Sequence, residues 1–421
     1  MNKLFDLTQK EFDRQRDTLN LIASENYPSP ATLELLGSVW QNRYSEGYPG
    51  KRYYAGQIYT DELELFVQQK ALEVFDATGE YGCNVQLLSG SPANAMVYMA
   101  ALEAGDTIMS IKLANGGHLS HLHDTSAYKK FFKHVTYDVK ETEHDLFEID
   151  VDDFAAQLKV QKPKLTIIGF SAYPRKYEFA QLCRLAHEAG SLVLADIAHI
   201  NGLVAVGLHD TPFQEGVDGA DYITMTTHKT MRGPRGALVF AKQELMEVFN
   251  KTVFPGTSGG PHMHTIAATG QALLEILGEE KYPDGLSFKE YSQNTIDSCQ
   301  ALEGGLKNGG LEVISPTQNH LCLVRLPEAV DSLELQKKLE SLGIILNRNM
   351  IFNDTKSAWR PSGLRLGTAA LTSRGLVTEQ AQQLGELIAA VALEKLENES
   401  AQKQVDNLVA QLNWHYTNTT I

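Results

Sequence analysis

The chain has 421 residues, 43% of them hydrophobic and 21% charged, a globular balance that excludes wholesale disorder. That length suits two or three domains and a core needing no disulfide or metal staple. With 52 acidic against 37 basic side chains the net charge is −15, which speaks against a broadly basic nucleic-acid-binding surface, and no apolar run reaches the roughly 18 residues of a membrane span.

The opening run, MNKLFDLTQKEFDRQ, is polar and carries acids, unlike a signal peptide or an Arg-rich transit peptide. A cytoplasmic protein is expected. The four cysteines, Cys83, Cys183, Cys299 and Cys322, are far apart, form no CxxC pair and read as buried free thiols of a reducing compartment. Next comes Tyr44–Tyr54 (YSEGYPGKRYY), which sets tyrosines, a glutamate and two cations close together. Tyrosine and glutamate suit proton transfer and carboxylate positioning. An aromatic turn in a subunit interface has the same look, and both can hold at once. Leu88–Asn94 (LSGSPAN) leads into an apolar helical run to Leu102. Small residues with free N–H groups at a helix start cradle an anion, helped by the helix dipole. Pro92 fits a first turn, where no N–H partner is needed. An ordinary serine N-cap has the same signature.

From residue 165 short apolar runs alternate with helical stretches. Leu165–Phe170 (LTIIGF), Ser191–Ile197 (SLVLADI), Asp221–Thr226 and Gly236–Phe240 (GALVF) read as buried strands. Phe179–Ala189 has helical spacing (Phe179, Leu182, Cys183, Ala186) and ends at Gly190. This predicts an α/β fold with a mostly parallel sheet covered on both faces. Ligands then sit beyond the strands' carboxyl ends, so the polar residues closing the strands are the candidates. Asp196 closes SLVLADI, where a buried carboxylate needs a cationic partner unless it caps a helix. His199, three residues on, faces a ligand or is a polar loop residue. Lys229, in TTHKT just past the third strand, sits at the same edge, where desolvation lowers the amine's pKa and suits it to Schiff-base formation. Its distance from Asp196 is about one βαβ unit, and such a lysine–aspartate pair is how pyridoxal phosphate is commonly held. A second Gly-rich turn, Gly256–Pro261 (GTSGGP), is weaker as a phosphate neighbour.

Beyond about residue 265 the pattern changes. A helix over Thr265–Leu277, a strand at His320–Leu326, a helix at Leu333–Leu342 and an amphipathic helix at Thr378–Leu396 predict a smaller C-terminal α+β domain. Arg365, in GLRLG, lies within an apolar strand, where a guanidinium needs an anion: a substrate carboxylate or an internal salt bridge. The Asn/Gln-rich stretch 398–421 reads as a surface helix or a frayed tail. The expected division is an N-terminal arm (1–30), a large cofactor-binding domain (31–265), a small domain (266–397) and an extension (398–421).

Nine runs occur in one order: LIASEN (from Leu21), EGYPGKRYY, NVQ…SGS.AN, LANGGHLSH, GFSAYPR, DIAHINGLVA, TTHKTMRGPRG, GGPHMH and GLRLGTAALTSRG. Over roughly residues 20–395 the chain resembles the serine hydroxymethyltransferase family. The resemblance implies a seven-stranded, aminotransferase-like sheet and pyridoxal 5′-phosphate as cofactor. It implies interconversion of serine and glycine with tetrahydrofolate and 5,10-methylenetetrahydrofolate. It also implies a homodimer or tetramer with shared active sites, and no nucleic-acid, membrane or metal partner. Lys229 then resembles the Schiff-base lysine, Asp196 the partner of the pyridine nitrogen and His118 the imidazole stacked on the ring. Ser171 and His199 match residues near the ring hydroxyl. Ser89, Gly90 and Ser91 match the phosphate cradle, with Gly259 and Gly260 contributed by a neighbouring subunit. Ser24 and Arg365, joined by Tyr44 and Tyr54, match the substrate site. Tyr44, Glu46, Tyr53 and Tyr54 correspond to side chains crossing the dimer interface, with Glu46 and Tyr54 in catalytic roles. Glu46, Tyr53, Leu113, Gly116, Gly117, Leu119 and Asn349 match the folate pocket.

The chain departs from the family pattern at Leu88 and Pro92, where His and Gln are usual, across Leu122–Lys130, at Ser258 for Gln, and at Thr355 and Ala369. These changes surround the substrate and folate more than the cofactor core. Two other readings therefore stand beside the first. One is a folate-independent pyridoxal-phosphate aldolase or transaldolase on β-hydroxy, including α-substituted, amino acids. The other is a catalytically silent paralogue.

Overall fold

The computed structural model describes residues 2–142 and 146–417. Seven strands form its central sheet: β1 (Tyr81–Leu87), β2 (Thr107–Ile111), β3 (Lys133–Tyr137), β4 (Leu165–Gly169), β5 (Leu192–Asp196), β6 (Tyr222–Thr226) and β7 (Ala237–Lys242). Their order is β1-β7-β6-β5-β4-β2-β3. All neighbours from β6 to β3 run parallel, and β7 is antiparallel to both β6 and β1. The reason lies in chain length. Residues 227–236 are too few for the crossover of a dozen or more that a parallel return needs. The strand GALVF must therefore come straight back along β6, and the Lys229 loop is confined to the sheet's carboxyl edge.

Side chains alternate between two buried faces. Val193 and Ala195 enter one apolar cluster and Leu194 the other; Leu238 and Phe240 part in the same way from Val239 and Ala241. A strand buried on both sides has no polar alternation to show, so these segments read as unbroken apolar runs. The helix at Phe179–Glu188 ends as expected, with Gly190 at φ +76°.

A second, antiparallel sheet holds β8 (Glu312–Ile314), β9 (Leu321–Arg325), β10 (Asn347–Asn349) and β11 (Gly363–Gly367), in the order β8-β9-β11-β10. The helices Phe288–Gly309 and Thr378–Ala392 supply Leu302, Leu306, Leu384 and Ile388 to its core. Leu19 and Leu21 from the N-terminal segment join that core, and Leu19–Asn20 pairs with Ile344–Ile345. The helix expected to reach Leu396 stops at Ala392, because Glu394 turns left-handed (φ +53°) and the Lys395 N–H returns to the Ala390 carbonyl at 2.8 Å. Residues 398–417 are docked rather than frayed. Ala401, Val405 and Leu408 of the helix Asn398–Ala410 are buried, Trp414 packs edge-on against Phe12 and Tyr27, and the Tyr416 hydroxyl donates to the Pro28 carbonyl at 2.6 Å. Residues 418–421 lie outside the described residues. All four cysteines are buried and unbridged. No helix among the described residues is long and apolar enough to cross a membrane.

The two long helices of the second unit approach through glycine. A Cβ at Gly305 would run into the Gln382 carbonyl, and one at Gly385 into the Leu302 carbonyl, whereas a Cβ at Gly304 meets nothing within 4 Å. Gly305→Ala is therefore expected to lower stability by about 1–3 kcal/mol through overpacking. Gly304→Ala, one residue away, should raise it by up to ~1 kcal/mol through helix propensity. Denaturant unfolding of the two variants checks the opposite signs.

Candidate active site

The carboxyl ends of β1, β2, β4, β5 and β6 meet the second unit around a cavity of about 330 Å³. Lys229, Asp196, His118 and His199 line it, as do Ser89, Gly90 and Ser91 after β1, Ser171 after β4, Ser24 from the N-terminal segment and Arg365 from β11. The structure thus gathers these ten of the residues expected around cofactor and substrate from segments spread over some 340 positions.

Asp196 ends β5 but caps no helix; the short helix that follows begins at Asn201, with Ile200 as its N-cap. Its Oδ2 accepts from Asn94 Nδ2 at 2.8 Å and from His121 Nε2 at 3.0 Å, and its Oδ1 accepts from the Ala198 N–H at 3.1 Å. Burial by itself pushes this carboxyl up. The His121 bond, the nearby Lys229 charge and the Asn94 bond more than offset it, so the group is held well below the usual carboxylate range. Asn94 is itself fixed by the Thr224 hydroxyl on β6, which donates to its Oδ1 at 2.6 Å. A Cβ at Gly169 on β4 would strike the Asp196 backbone, so glycine is required there.

Lys229 is 8% exposed, and among the described residues its Nζ makes no hydrogen bond. Burial brings the ammonium from 10.5 to about 8; Asp196 opposes that shift, while Arg365 and Arg235 assist it. The loop carrying it is closed by the Gly233 N–H donating to the Thr227 carbonyl (2.7 Å) and the Arg232 N–H donating to the Lys229 carbonyl (3.0 Å), with Arg232 left-handed at φ +62°. His118 Nδ1 accepts from the Ser120 N–H at 3.1 Å, and burial followed by the His121 charge brings its pKa to about 4. It faces the cavity as a neutral ring.

Ser89 begins the helix Gly90–Ala101 without a side-chain capping bond, so its hydroxyl and the first-turn N–H groups remain open. Arg365 donates from Nη1 to the Ser171 carbonyl (2.6 Å) and from Nε to Asn347 Oδ1 (3.2 Å). Among the described residues no carboxylate pairs with it, which removes the internal salt bridge as its explanation. Burial lowers its pKa to about 10, still protonated at neutral pH.

A second group lies outside this cavity. The Tyr44 and Tyr54 rings are 5.1 Å apart, a Cβ built on Gly259 would lie 3.1 Å from Glu46 Oε1, and one on Gly260 would lie 3.5 Å from the Tyr44 ring. Tyr53 packs against Phe254. Tyr44, Tyr53 and Tyr54 are 56%, 75% and 47% exposed, so this aromatic cluster faces outward. Leu113, Gly116, Gly117, Leu119 and Asn349 also fall outside the cavity lining. Gly116 (φ +99°) passes close under the Ala172 carbonyl in the turn before His118, Leu119 is exposed, and Asn349 pairs with Gly363, two residues from Arg365.

Sequence reasoning passed over Asn94, Ser120, His121, His228, Arg235 and Glu25, all of which line the cavity. His121 had a local signal, its place three residues after His118 in a turn rather than a helix. Asn94 had none, since only the fold brings that helix residue to the end of β5.

The sequence model of the serine hydroxymethyltransferase family matches residues 1–388. A protein from Sorangium cellulosum (strain So ce56) named serine hydroxymethyltransferase is 43% identical to this chain over 392 residues, covering 93% of this chain and 89% of that protein.

Only the neutral amine is a nucleophile. In the cofactor-free protein, aldehyde labelling of Lys229 is expected to rise with pH around about 8 instead of 10.5. Peptide mapping of labelled protein across pH 6–11 measures this, and a midpoint above 10 would contradict the buried-amine description.

Proposed function

The chain belongs to the serine hydroxymethyltransferase family, and from that membership we propose that this cavity is where it interconverts serine and glycine as a pyridoxal-phosphate-dependent transferase, the one-carbon unit being exchanged with tetrahydrofolate. The observation that carries this is the pairing in one cavity of an amine whose pKa is lowered, Lys229, with a carboxylate kept ionised, Asp196. The residues fit the cofactor. The open serine and first-turn N–H groups at Ser89–Ser91 suit a phosphate. Asp196 suits a protonated ring nitrogen, and the neutral His118 ring suits a stacked aromatic face.

When bound, the cofactor supplies the electron sink for breaking the Cα–Cβ bond of serine. The chain's residues do the remaining work. Lys229, its pKa lowered to about 8, offers far more neutral amine near neutral pH than an ordinary lysine, and Asp196 holds a proton on the ring nitrogen. Arg365, with no carboxylate of its own, clamps the substrate carboxylate beside Ser24. Glu46 moves protons of the hydroxyl or folate, with Tyr54 beside it.

Because Tyr44, Glu46, Tyr53, Tyr54, Gly259 and Gly260 lie outside their own chain's cavity, we assign them to the cavity of a second copy, in a homodimer or a tetramer of dimers. The folate site is then the outer part of this shared cavity, including Leu113, Gly116, Gly117, Leu119 and Asn349. The division into 1–30, 31–265, 266–397 and 398–421 is part of the same proposal, with Lys229 and Arg365 brought from either side of the boundary. We place the protein in the cytoplasm, in keeping with its buried, unbridged thiols. Family membership does not favour the folate-free aldolase or the silent paralogue.

Serine cleavage measured with and without tetrahydrofolate tests the reaction. Strict dependence is expected, and equal rates without folate would remove folate from the function. Lys229→Ala should abolish both turnover and the visible absorbance of the bound cofactor. Arg365→Ala should raise the KM for serine by roughly tenfold to a hundredfold, the worth of a charge-assisted carboxylate clamp. Co-expression tests the shared site. Lys229→Ala and Glu46→Gln are each expected to be inactive alone. Their hybrid dimers carry one intact site, restoring about a quarter of wild-type activity if subunits mix at random; no restoration would place Glu46 in its own chain's site.

A further inference from the structure

Glu46 enters a short hairpin whose turn is written into Tyr48-Pro49-Gly50-Lys51. Proline presets the first corner, and Gly50, at φ +73°, takes the left-handed second one. Gly47–Tyr48 and Lys51–Arg52 then pair antiparallel, with Gly47 opposite Arg52. A side chain at Gly47 (φ +99°) would strike the Lys51 carbonyl, so the residue after Glu46 has to be glycine. The Tyr53 N–H donates to the Glu46 carbonyl at 3.0 Å. Strands of two residues do not hold such a hairpin by themselves.

A buried guanidinium does. The Arg52 side chain is 3% exposed. Its Nη1 donates to the carbonyls of Ser45 (2.9 Å) and Gly47 (2.7 Å), the two residues that flank Glu46. Its Nε donates to Asp61 Oδ1 at 2.8 Å and its Nη2 to Glu64 Oε2 at 2.6 Å, both on the helix Ile58–Phe75. Asp61 Oδ2 also accepts from the Gly50 N–H at the hairpin's tip, at 2.8 Å. The fully buried Glu64 has a second donor. Gln86 Nε2, near the end of β1, reaches its Oε1 at 2.9 Å and the Gly47 carbonyl at 3.0 Å. Two of the four Arg52 bonds thus go to the peptide groups on either side of Glu46, which sets the direction in which its Cα–Cβ bond leaves the hairpin. A planar fork serves two carboxylates and two carbonyls at once; an ammonium has three donors and no fixed plane.

We propose that Arg52, backed by Glu64 and Gln86, is a positioning residue that aims Glu46. What Glu46 does, and in which copy's cavity, rests on the functional proposal above. The clamp is a property of one chain.

Hydrogen exchange read by mass spectrometry on the full-length protein tests the clamp. Arg52→Lys keeps a charge beside Glu64 but loses the fork, so residues 44–54 should exchange roughly tenfold faster, the scale of one hydrogen bond to a charged group, with the central strands unchanged. Gln86→Leu, which leaves Arg52 in place, should show a smaller change of the same sign. Arg52→Lys should also lower kcat roughly a hundredfold, the scale for a misplaced catalytic group. Hybrid dimers separate that loss from a general defect. Mixed with Lys229→Ala chains, Arg52→Lys is expected to recover about a quarter of wild-type activity, because each hybrid keeps one intact site. Mixed with Glu46→Gln it should recover none, since both sites then meet a defective hairpin. Unchanged exchange across 44–54 in Arg52→Lys overturns the proposal. So does recovery with Glu46→Gln, which would place the effect of Arg52 in its own chain's cavity. Failure to recover with Lys229→Ala, where Glu46→Gln does recover, marks a general assembly defect and overturns it too. Should Arg52→Lys fail to fold, exchange in Gln86→Leu decides by the same criterion. If Lys229→Ala and Glu46→Gln do not restore each other while the hairpin exchanges faster, the clamp stands and the shared site falls.

Discussion

The structure turns on charge balance inside one cavity. Lys229, Arg365 and Arg235 bring three cations to its walls, and Asp196 and Glu25 bring two carboxylates. Burial, reinforced by those cations, drives His118 to about 4 and His228 to about 3, and holds His199 well below its usual range. These three rings therefore neither relieve nor add to the excess of positive charge near neutral pH. What the cavity lacks is anionic charge, and a phosphate at Ser89–Ser91 together with a carboxylate at Arg365 would supply it. The site is thus preorganised for a ligand with two anionic ends and an aromatic centre, before any particular chemistry is invoked.

That balance survives because the backbone around Lys229 is held from three directions. Asn26 Nδ2 donates to the Lys229 carbonyl at 2.8 Å and to the Tyr291 hydroxyl at 2.7 Å, and the Ser373 hydroxyl donates to Asn26 Oδ1 at 2.7 Å. Those partners come from the N-terminal segment, the long helix Phe288–Gly309 and the residues after β11. Arg232 lies over the Tyr282 ring at 3.5 Å and the Tyr291 ring at 4.2 Å, locking the loop's far end into the same seam. A buried polar network of this kind is strong only when its members are all present, so it joins the two sheets at the point where the amine must be placed.

The strands and the residues closing them were legible because both signals are local: an apolar run, then a polar group with no surface to retreat to. Asp196, Lys229 and Arg365 stand out for that reason. The supports of those residues were not legible. Asn94 looks like any helix residue, and His121 is overshadowed by His118. Each depends on contacts between distant segments. The β6–β7 return was implicit in a loop too short for a crossover, a length argument that composition does not make. The aromatic cluster around Tyr44 and Glu46 reads from sequence as proton-transfer groups, an interface turn or both, and in the fold it faces outward; its assignment to a neighbouring subunit rests on family resemblance and on its position outside its own cavity.

The departures from the family pattern can be weighed in the same terms. Leu122 adopts φ +65° although it is no glycine, a conformation that costs an L-residue about 1–2 kcal/mol. It is also fully buried, among Tyr98, Phe132 and their neighbours, and burying a leucine side chain is worth about 1.5–3 kcal/mol. Packing therefore offsets the strain. The turn before it is tied down independently: the Ser110 hydroxyl donates to the His121 carbonyl at 3.1 Å, and the Tyr98 hydroxyl to the Ser120 carbonyl at 2.7 Å. His121 keeps its hold on Asp196 whatever follows. Sequence change from Leu122 to Lys130 is thus uncoupled from the charge balance of the cavity. It is free to vary while the groups that line the cavity stay where they are.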